Sequence, residues 1–247
     1  MAGLVQVDGR PAAKPGMPVQ SSAEVQVRER ERFVSRGGIK LAKALQEFSV
    51  DVGGRIVLDV GASTGGFTDC LLQAGAVRVY SVDCGYGQLD WRLRQDERVV
   101  VMERTNVRFL TPRQIGEQVS LATADVSFIS LTLVFPVLKS LAVPEVIALV
   151  KPQFEVGKGR VGKGGVVRAA DDHLAVLERV VAAAVSEGYA VKGVTHSCLR
   201  GPEGNIEYFL YLGPEESARQ EPKACLSAVV AAAHRAFAGE GPPSRGQ

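Results

Sequence analysis

Two periods of apolar residues alternate along this chain. Segments 55–60, 77–83, 99–103, 121–125 and 146–151 are short, mostly branched apolar runs that read as buried strands, and 190–196 and 207–212 repeat the pattern near the end. Between them the spacing becomes helical, from about Gly66, around 131–141 and over 171–187. Ahead of the first strand, Leu41, Ala44, Leu45 and Phe48 share one helical face behind Ser35, a good N-cap residue. Such alternation predicts an α/β fold, a parallel sheet with helices on both faces. Only residues 198–205 separate the last two strands, too few for a helical crossover, so that pair is expected to be antiparallel.

The ends of the chain follow other patterns. Residues 4–7 and 24–27 alternate over a few positions on either side of Pro15-Gly16 and read as a small β hairpin. Between 26 and 43 lie six basic residues (Arg28, Arg30, Arg32, Arg36, Lys40 and Lys43) against two glutamates, either a local basic patch or a solvated linker. Residues 1–32 are therefore expected to form a small segment with a basic linker, and 33–240 the main domain. A helix is expected over 223–238, followed by a disordered Gly-Pro-Ser-rich terminus.

Composition narrows the partners. A net charge of +2 is too small to make the whole surface a nucleic-acid magnet, so any such contact must be local. The four cysteines form no C-x-x-C pair and the three histidines (His173, His196, His234) have no ligand spacing, so no metal site is expected. No apolar run is long enough to span a membrane, and no signal-peptide core opens the chain, which together fit a reducing cytoplasm.

The densest chemistry lies where the first strand enters Gly61-Ala62-Ser63-Thr64-Gly65-Gly66-Phe67. Glycines at a strand-to-helix turn let backbone approach a ligand at the helix N-terminus. Ser63 stands where a dinucleotide fingerprint has its second glycine, which weighs against NAD and a dehydrogenase. Asp83 ends the second strand, where a carboxylate can accept from a ribose diol or simply be solvated. Asp59 could steady the turn or face a ligand amine. Asp125 and Lys151 interrupt apolar strand ends, and Glu207 opens the antiparallel strand, so all three should reach the sheet edge that binds ligands in open α/β folds.

Ser35-Arg-Gly-Gly-Ile-Lys40-Leu, Asp59-Val-Gly-Ala-Ser-Thr-Gly-Gly-Phe-Thr-Asp69, Asp125-Val-Ser-Phe-Ile-Ser130, Leu149-Val-Lys-Pro-Gln-Phe-Glu155 with Val156-Gly-Lys-Gly, and Gly204-Asn-Ile-Glu-Tyr-Phe-Leu210 together resemble the TlyA family. These are FtsJ-like ribosomal RNA 2′-O-methyltransferases, long labelled hemolysins. The resemblance spans about residues 33–212. It implies a Rossmann-like class I methyltransferase sheet with one antiparallel strand, S-adenosyl-L-methionine as cofactor, and a tetrad of Lys40, Asp125, Lys151 and Glu207. Lys40 enters only through the resemblance, because its spacing with Lys43 and Glu47 suggests a polar helix face. Cofactor contacts are expected from Asp59, Gly61, Ala62, Ser63, Thr64, Gly65, Gly66, Phe67, Asp83, Asn106 and Asp125. RNA contacts are expected from Arg28, Arg30, Arg32 and Arg36 and, from the glycine-rich loop 157–165 and its immediate continuation, from Lys158, Arg160, Lys163 and Arg168; a solvated lid is the other reading of that loop.

The implied partner is ribosomal RNA or a ribosomal subunit, without membrane or metal. Residues 4–11 resemble the later strands of an S-four-type RNA-binding domain, and the expectation is that the chain starts inside that unit. Two further readings stand beside the enzyme. One is a membrane-active hemolysin, for which the alanine-rich 223–238 is the nearest candidate; the other is a non-catalytic ribosome-binding protein.

Overall fold

The computed structural model describes residues 5–12, 14, 16–27, 31–157, 159–214 and 222–239. Residues 1–32 and 33–247 are separate compact units. In the first, β1 (Val5–Val7) pairs antiparallel with both β2 (Arg10–Pro11) and β3 (Val25–Val27). The expected hairpin is thus a three-stranded sheet, whose middle strand is the first in sequence.

The second unit opens with helix α1 (Arg36–Phe48) and runs through β4 (Ile56–Val60), α2 (Gly66–Gln73), β5 (Arg78–Val82), α3 (Trp91–Arg94) and β6 (Val99–Met102). It continues with α4 (Pro112–Ile115), β7 (Leu121–Ala124), α5 (Phe135–Ser140), β8 (Val146–Val150) and α6 (Pro152–Glu155). The end comprises α7 (Ala170–Ser186), β9 (Tyr189–His196), β10 (Tyr208–Pro214) and α8 (Pro222–Ala236). Seven strands form one sheet in the order β6-β5-β4-β7-β8-β10-β9. All neighbours pair in parallel except β10, which lies antiparallel between β8 and β9, one place in from the edge. The single helix expected over 131–141 is broken into a 3₁₀ turn at Leu131–Leu133 and α5, with Pro136 in the first turn of α5. The disordered terminus expected after the last helix lies outside the described residues.

The strand alternation sorts the core into two layers, since successive side chains point to opposite faces. Val57, Val79, Leu121, Ile147, Leu149, Phe209 and Tyr211 face α1 and α2. Leu58, Val60, Tyr80, Ala122, Ala148, Val150, Tyr208 and Leu210 face the side of α5, α7 and α8. Gly193 makes room for α1: a Cβ there would lie 2.8 Å from the Phe48 ring, which stacks on Tyr211.

Two carboxyls, one buried and one half-buried, brace the sheet in opposite electrostatic senses. Asp59, in β4, is fully enclosed and accepts from Thr68 Oγ1 of α2 (2.7 Å) and Thr123 Oγ1 of β7 (3.0 Å). Desolvation pushes its carboxyl up to about 7, with a smaller push from Asp125, against the two threonine bonds. Glu145, just before β8, receives hydrogen bonds from Lys192, Tyr211 and Arg55. Burial works against its charge, yet those donors together pull it down to about 2.

The signs give contrasting pH profiles. An acid raised on folding favours the fold below its unfolded value of 3.8 and loses that advantage as pH rises to about 7. Asp59→Asn should therefore gain stability relative to wild type across that window, reaching on the order of 4 kcal/mol, with no further change above it. For Glu145, stabilisation is present above 4.5 and lost as pH falls toward 2. Glu145→Gln should cost about 1–2 kcal/mol at neutral pH, a figure reduced for its part-exposed setting, and the deficit should shrink in acid. Urea midpoints between pH 3 and 8 measure both.

Candidate active site

The site is built where β4, between β5 and β7, passes into α2. Gly61 has φ +86°, and a Cβ on it would stand 2.4 Å from the Asp125 carbonyl oxygen. Only glycine lets the turn and the end of β7 approach so closely. Ser63 takes the left-handed conformation itself (φ +48°), so the turn forms without the second glycine of a dinucleotide loop. Its N–H donates to Asp83 Oδ2 at 2.8 Å, while Asp83 Oδ1 accepts from Gly85 N–H at 2.7 Å.

Two cavities meet along this edge and share Gly61, Ser63 and Asp125. The larger, about 700 Å³, is lined by Asp83, Asn106, Val107, Val126, Ser127 and Phe128 among others. The smaller, about 300 Å³, holds Ala62, Thr64, Gly66 and Phe67 together with Lys40, Asp125, Lys151 and Glu207. The structure thus gathers all four tetrad positions in one hollow that opens beside the glycine turn.

Strand register accounts for part of that convergence. Tyr208 of β10 pairs with Val150 of β8, so the next step along each strand sets Glu207 across from Lys151. Asp125 follows β7 directly, and its carboxylate forms an ion pair with Lys151 Nζ at 2.6 Å, while Lys151 Nζ donates its hydrogen bond to Ser127 Oγ at 3.0 Å. Lys40 Nζ donates to Glu207 Oε2 at 2.5 Å. Glu207 Oε1 is buried against Gly201 without a hydrogen-bond partner among the described residues. The arrangement is two lysine–carboxylate pairs, each with a buried carboxylate oxygen, Asp125 Oδ1 and Glu207 Oε1, that has no hydrogen-bond partner among the described residues.

Lys40 corrects the reading of its helix. It is 7% exposed, on the same buried face as Leu41 and Ala44, while Lys43 and Glu47 form the solvent-side pair that helical spacing suggests. Two side chains fix α1 from outside: Asp69 Oδ2 accepts from Val34 N–H at 2.8 Å, and Glu47 accepts from Thr195 Oγ1. Ser35 takes the N-cap position, but its hydroxyl makes no capping bond.

Other expected residues fall elsewhere. The Asp59 side chain lines neither cavity; Thr68 and Thr123 enclose it, which leaves it the task of bracing the turn. Gly65 also lines neither cavity, because Leu93 and Leu89 fill the space where its Cβ would be. Arg28, Arg30 and Lys158 lie outside the described residues, as does the side chain of Lys163. Arg32, Arg36, Arg160 and Arg168 are exposed; of these Arg36 does line the smaller cavity and donates to the Arg200 carbonyl, and Arg160 lies 3.7 Å from Asp172.

Histidines far apart in sequence meet in space. His173 is fully buried between Tyr208 OH (2.7 Å) and the Val167 carbonyl, with His234 at 3.2 Å, and burial lowers the affinity of both rings for a proton. No group of three metal-ligating side chains occurs among the described residues.

The cavity chemistry fits S-adenosylmethionine. Asp83 and Asn106 offer polar contacts beside the apolar Val107, Val126 and Ile129, as a nucleoside requires, and Asp125 lies where the nucleoside cavity meets the tetrad.

Known proteins carry the same plan. The family profile described as FtsJ-like methyltransferase matches residues 33–214. TlyA of Mycobacterium tuberculosis, a 16S/23S rRNA (cytidine-2′-O)-methyltransferase, is 49% identical over 245 residues, covering 98% of this chain and 90% of that protein. YqxC of Bacillus subtilis, named for rRNA methylation, is 48% identical over 242 residues, or 95% of this chain and 86% of that one. A solved structure of a Streptococcus thermophilus protein named as a hemolysin superposes with a TM-score of 0.81 at 45% identity, covering 96% of this chain and 88% of the other. With the turn, the sheet order and the two lysine–carboxylate pairs in place, the chain belongs to the TlyA family of FtsJ-like methyltransferases.

Proposed function

We infer that the protein methylates the 2′-hydroxyl of a ribose, a cytidine in ribosomal RNA by analogy with its TlyA relative, using S-adenosylmethionine. The observation that carries this reading is the meeting of Lys40–Glu207 and Lys151–Asp125 at the mouth of a nucleoside-sized cavity. When bound, the cofactor supplies an electrophilic methyl group on a sulfonium.

The rest falls to this chain's residues. A ribose hydroxyl is a weak nucleophile near neutral pH, so its proton must be taken as the oxygen–carbon bond forms and the sulfur–carbon bond breaks. Lys151 Nζ, as the free amine, is the group we assign to receive that proton. Glu207, which lines the hollow, can hold the hydroxyl by accepting from it, while Lys40 fixes that carboxylate through Oε2. Asp83 and Asn106 hold the nucleoside part of the cofactor. Much of the rate should come from positioning, which can supply several powers of ten.

The exposed Arg32, Arg36, Arg160 and Arg168, with Arg28, Arg30, Lys158 and Lys163, are the cations we assign to RNA phosphates, and 1–32 we read as part of an S-four-like RNA-binding unit. Such a substrate sets the work in the cytoplasm. The hemolysin name of some relatives finds less support in this geometry: among the described residues no helix is long and apolar enough to cross a membrane.

Lys151→Ala should abolish methyl transfer into isolated ribosomal subunits, by at least about 100-fold, while cofactor affinity by calorimetry stays within about twofold; full activity would refute the assignment. Replacing Lys158, Arg160, Lys163 and Arg168 with glutamine should weaken RNA binding and flatten its dependence on salt, by up to about 0.9 in logarithmic slope per lost phosphate contact. Filter-binding titrations from low to moderate salt measure that slope.

A further inference from the structure

Lys151 has two oxygen neighbours of different kinds. Asp125 Oδ1 belongs to a carboxylate 2.6 Å away, an ion pair without hydrogen-bond geometry, whereas Ser127 Oγ is neutral, 3.0 Å away, and accepts the lysine's hydrogen bond. Lys40, by contrast, has Glu207 as its acceptor in the hollow. Ser127 is also exposed and lines the larger cavity, whereas Lys151 lines the smaller, so this hydrogen bond crosses from one to the other.

The hydroxyl is not free to follow the lysine. Its segment is pinned from below by Glu155, a carboxylate only 3% exposed at the end of α6. Glu155 Oε1 accepts from Leu131 N–H at 2.8 Å, Oε2 accepts from Ser130 Oγ at 2.7 Å, and Arg179 of α7 contacts the same oxygen at 3.3 Å. Above it, the Phe128 ring packs on Phe154 with centroids 4.8 Å apart. Segments 125–131 and 151–155 are thus fastened by five contacts, of which those of Asp125 and Ser127 reach the lysine amine and that of Ser127 is its hydrogen bond.

We propose that Ser127 is a positioning residue for methyl transfer, holding the Lys151 amine in a fixed direction without adding a second negative charge beside it. This rests on the assignment of Lys151 as proton acceptor. The chemistry favours a neutral partner: a second carboxylate would hold the lysine in its charged form and deny it the incoming proton, while no partner at all would leave the amine free to rotate about Asp125.

A series at position 127 tests this in the full-length protein, with methyl transfer into isolated subunits as the assay. Ser127→Ala should lower kcat about tenfold, with KM for the RNA substrate and calorimetric affinity for S-adenosylmethionine unchanged. Ser127→Thr, which keeps the hydroxyl, should recover most of the loss. Ser127→Asp, which keeps an acceptor but adds charge, should be slower than Ser127→Ala. Because the residue is exposed, all three should fold, and circular dichroism checks that. Wild-type kcat in Ser127→Ala, or a loss carried by KM instead, overturns the proposal. Lys151→Ala run alongside separates the two levels: if it is inactive while Ser127→Ala is unaffected, only the role of Ser127 fails, and if it is active, both assignments fall.

Discussion

Everything at the site depends on how closely two helices approach. A Cβ on Gly66 would stand 2.1 Å from Ser35 Oγ and 2.9 Å from the Gly38 amide nitrogen; one on Gly38 would meet the Phe33 ring at 2.4 Å and the Gly66 carbonyl at 2.9 Å. The N-terminal turns of α1 and α2 therefore touch backbone to backbone. Lys40 lies two residues beyond that contact, and it bonds Glu207, 167 positions away in sequence. The short approach converts a lysine that would be solvated on an isolated helix into half of a buried ion pair. Such a pair gains little net stability, since removing both charges from water costs about what their attraction returns. Its presence here is better explained by the hollow that both residues line than by what it adds to the fold.

The turn that receives α1 is itself held by a buried acid. Asp59 ties β4 to α2 and β7 through two threonine hydroxyls, and its burial pushes the carboxyl up to about 7. β4 has β5 on one side and β7 on the other, which makes this the point where the chain reverses its direction of travel across the sheet. Open α/β sheets have a crevice there, at the carboxyl ends of the strands. Asp83 and Asp125 are the residues at the ends of the two flanking strands, so topology alone delivers one carboxylate to each side of the glycine turn.

How much of this the sequence reveals follows from the range of each interaction. The strands, the turn, and the approach of Asp125, Lys151 and Glu207 to one edge follow from local periodicity plus the parallel and antiparallel rules, which need no knowledge of packing. Lys40 does not follow, because its burial is made by Glu207 and by the glycine contact, both tertiary. Asp59 is ambiguous for the same reason: strand alternation puts it on a face, but Thr68 and Thr123 decide whether that face is a ligand site or a closed pocket. The two residues of β2 are too few to show a period, and His173 and His234 carry no signal of their meeting across 61 positions. Ser127 is an intermediate case. It lies two residues past Asp125 in a polar interruption, visible as a turn but not as a partner of a lysine 24 positions on.

While both lysines carry a proton the tetrad's charges sum to zero, and this bears on how one surface serves two oppositely charged ligands. A sulfonium cofactor is repelled by unpaired cations, and an RNA backbone by unpaired carboxylates. Two lysines matched by two carboxylates, each pair within 2.6 Å, present neither sign at long range, because a closely paired charge acts as a dipole and its field decays faster than that of a single ion. In the proposed assignment, attraction of the polyanion is then left to arginines on exposed positions such as Arg36, Arg160 and Arg168, where salt screens it strongly. The chemistry, enclosed and charge-balanced, is screened much less. Substrate capture and methyl transfer should thus respond differently to ionic strength, with capture falling steeply as salt rises and the chemical step on bound RNA nearly constant. Single-turnover rates at saturating RNA, compared with binding across the same salt series, distinguish that separation from a site in which the tetrad itself recruits the phosphates.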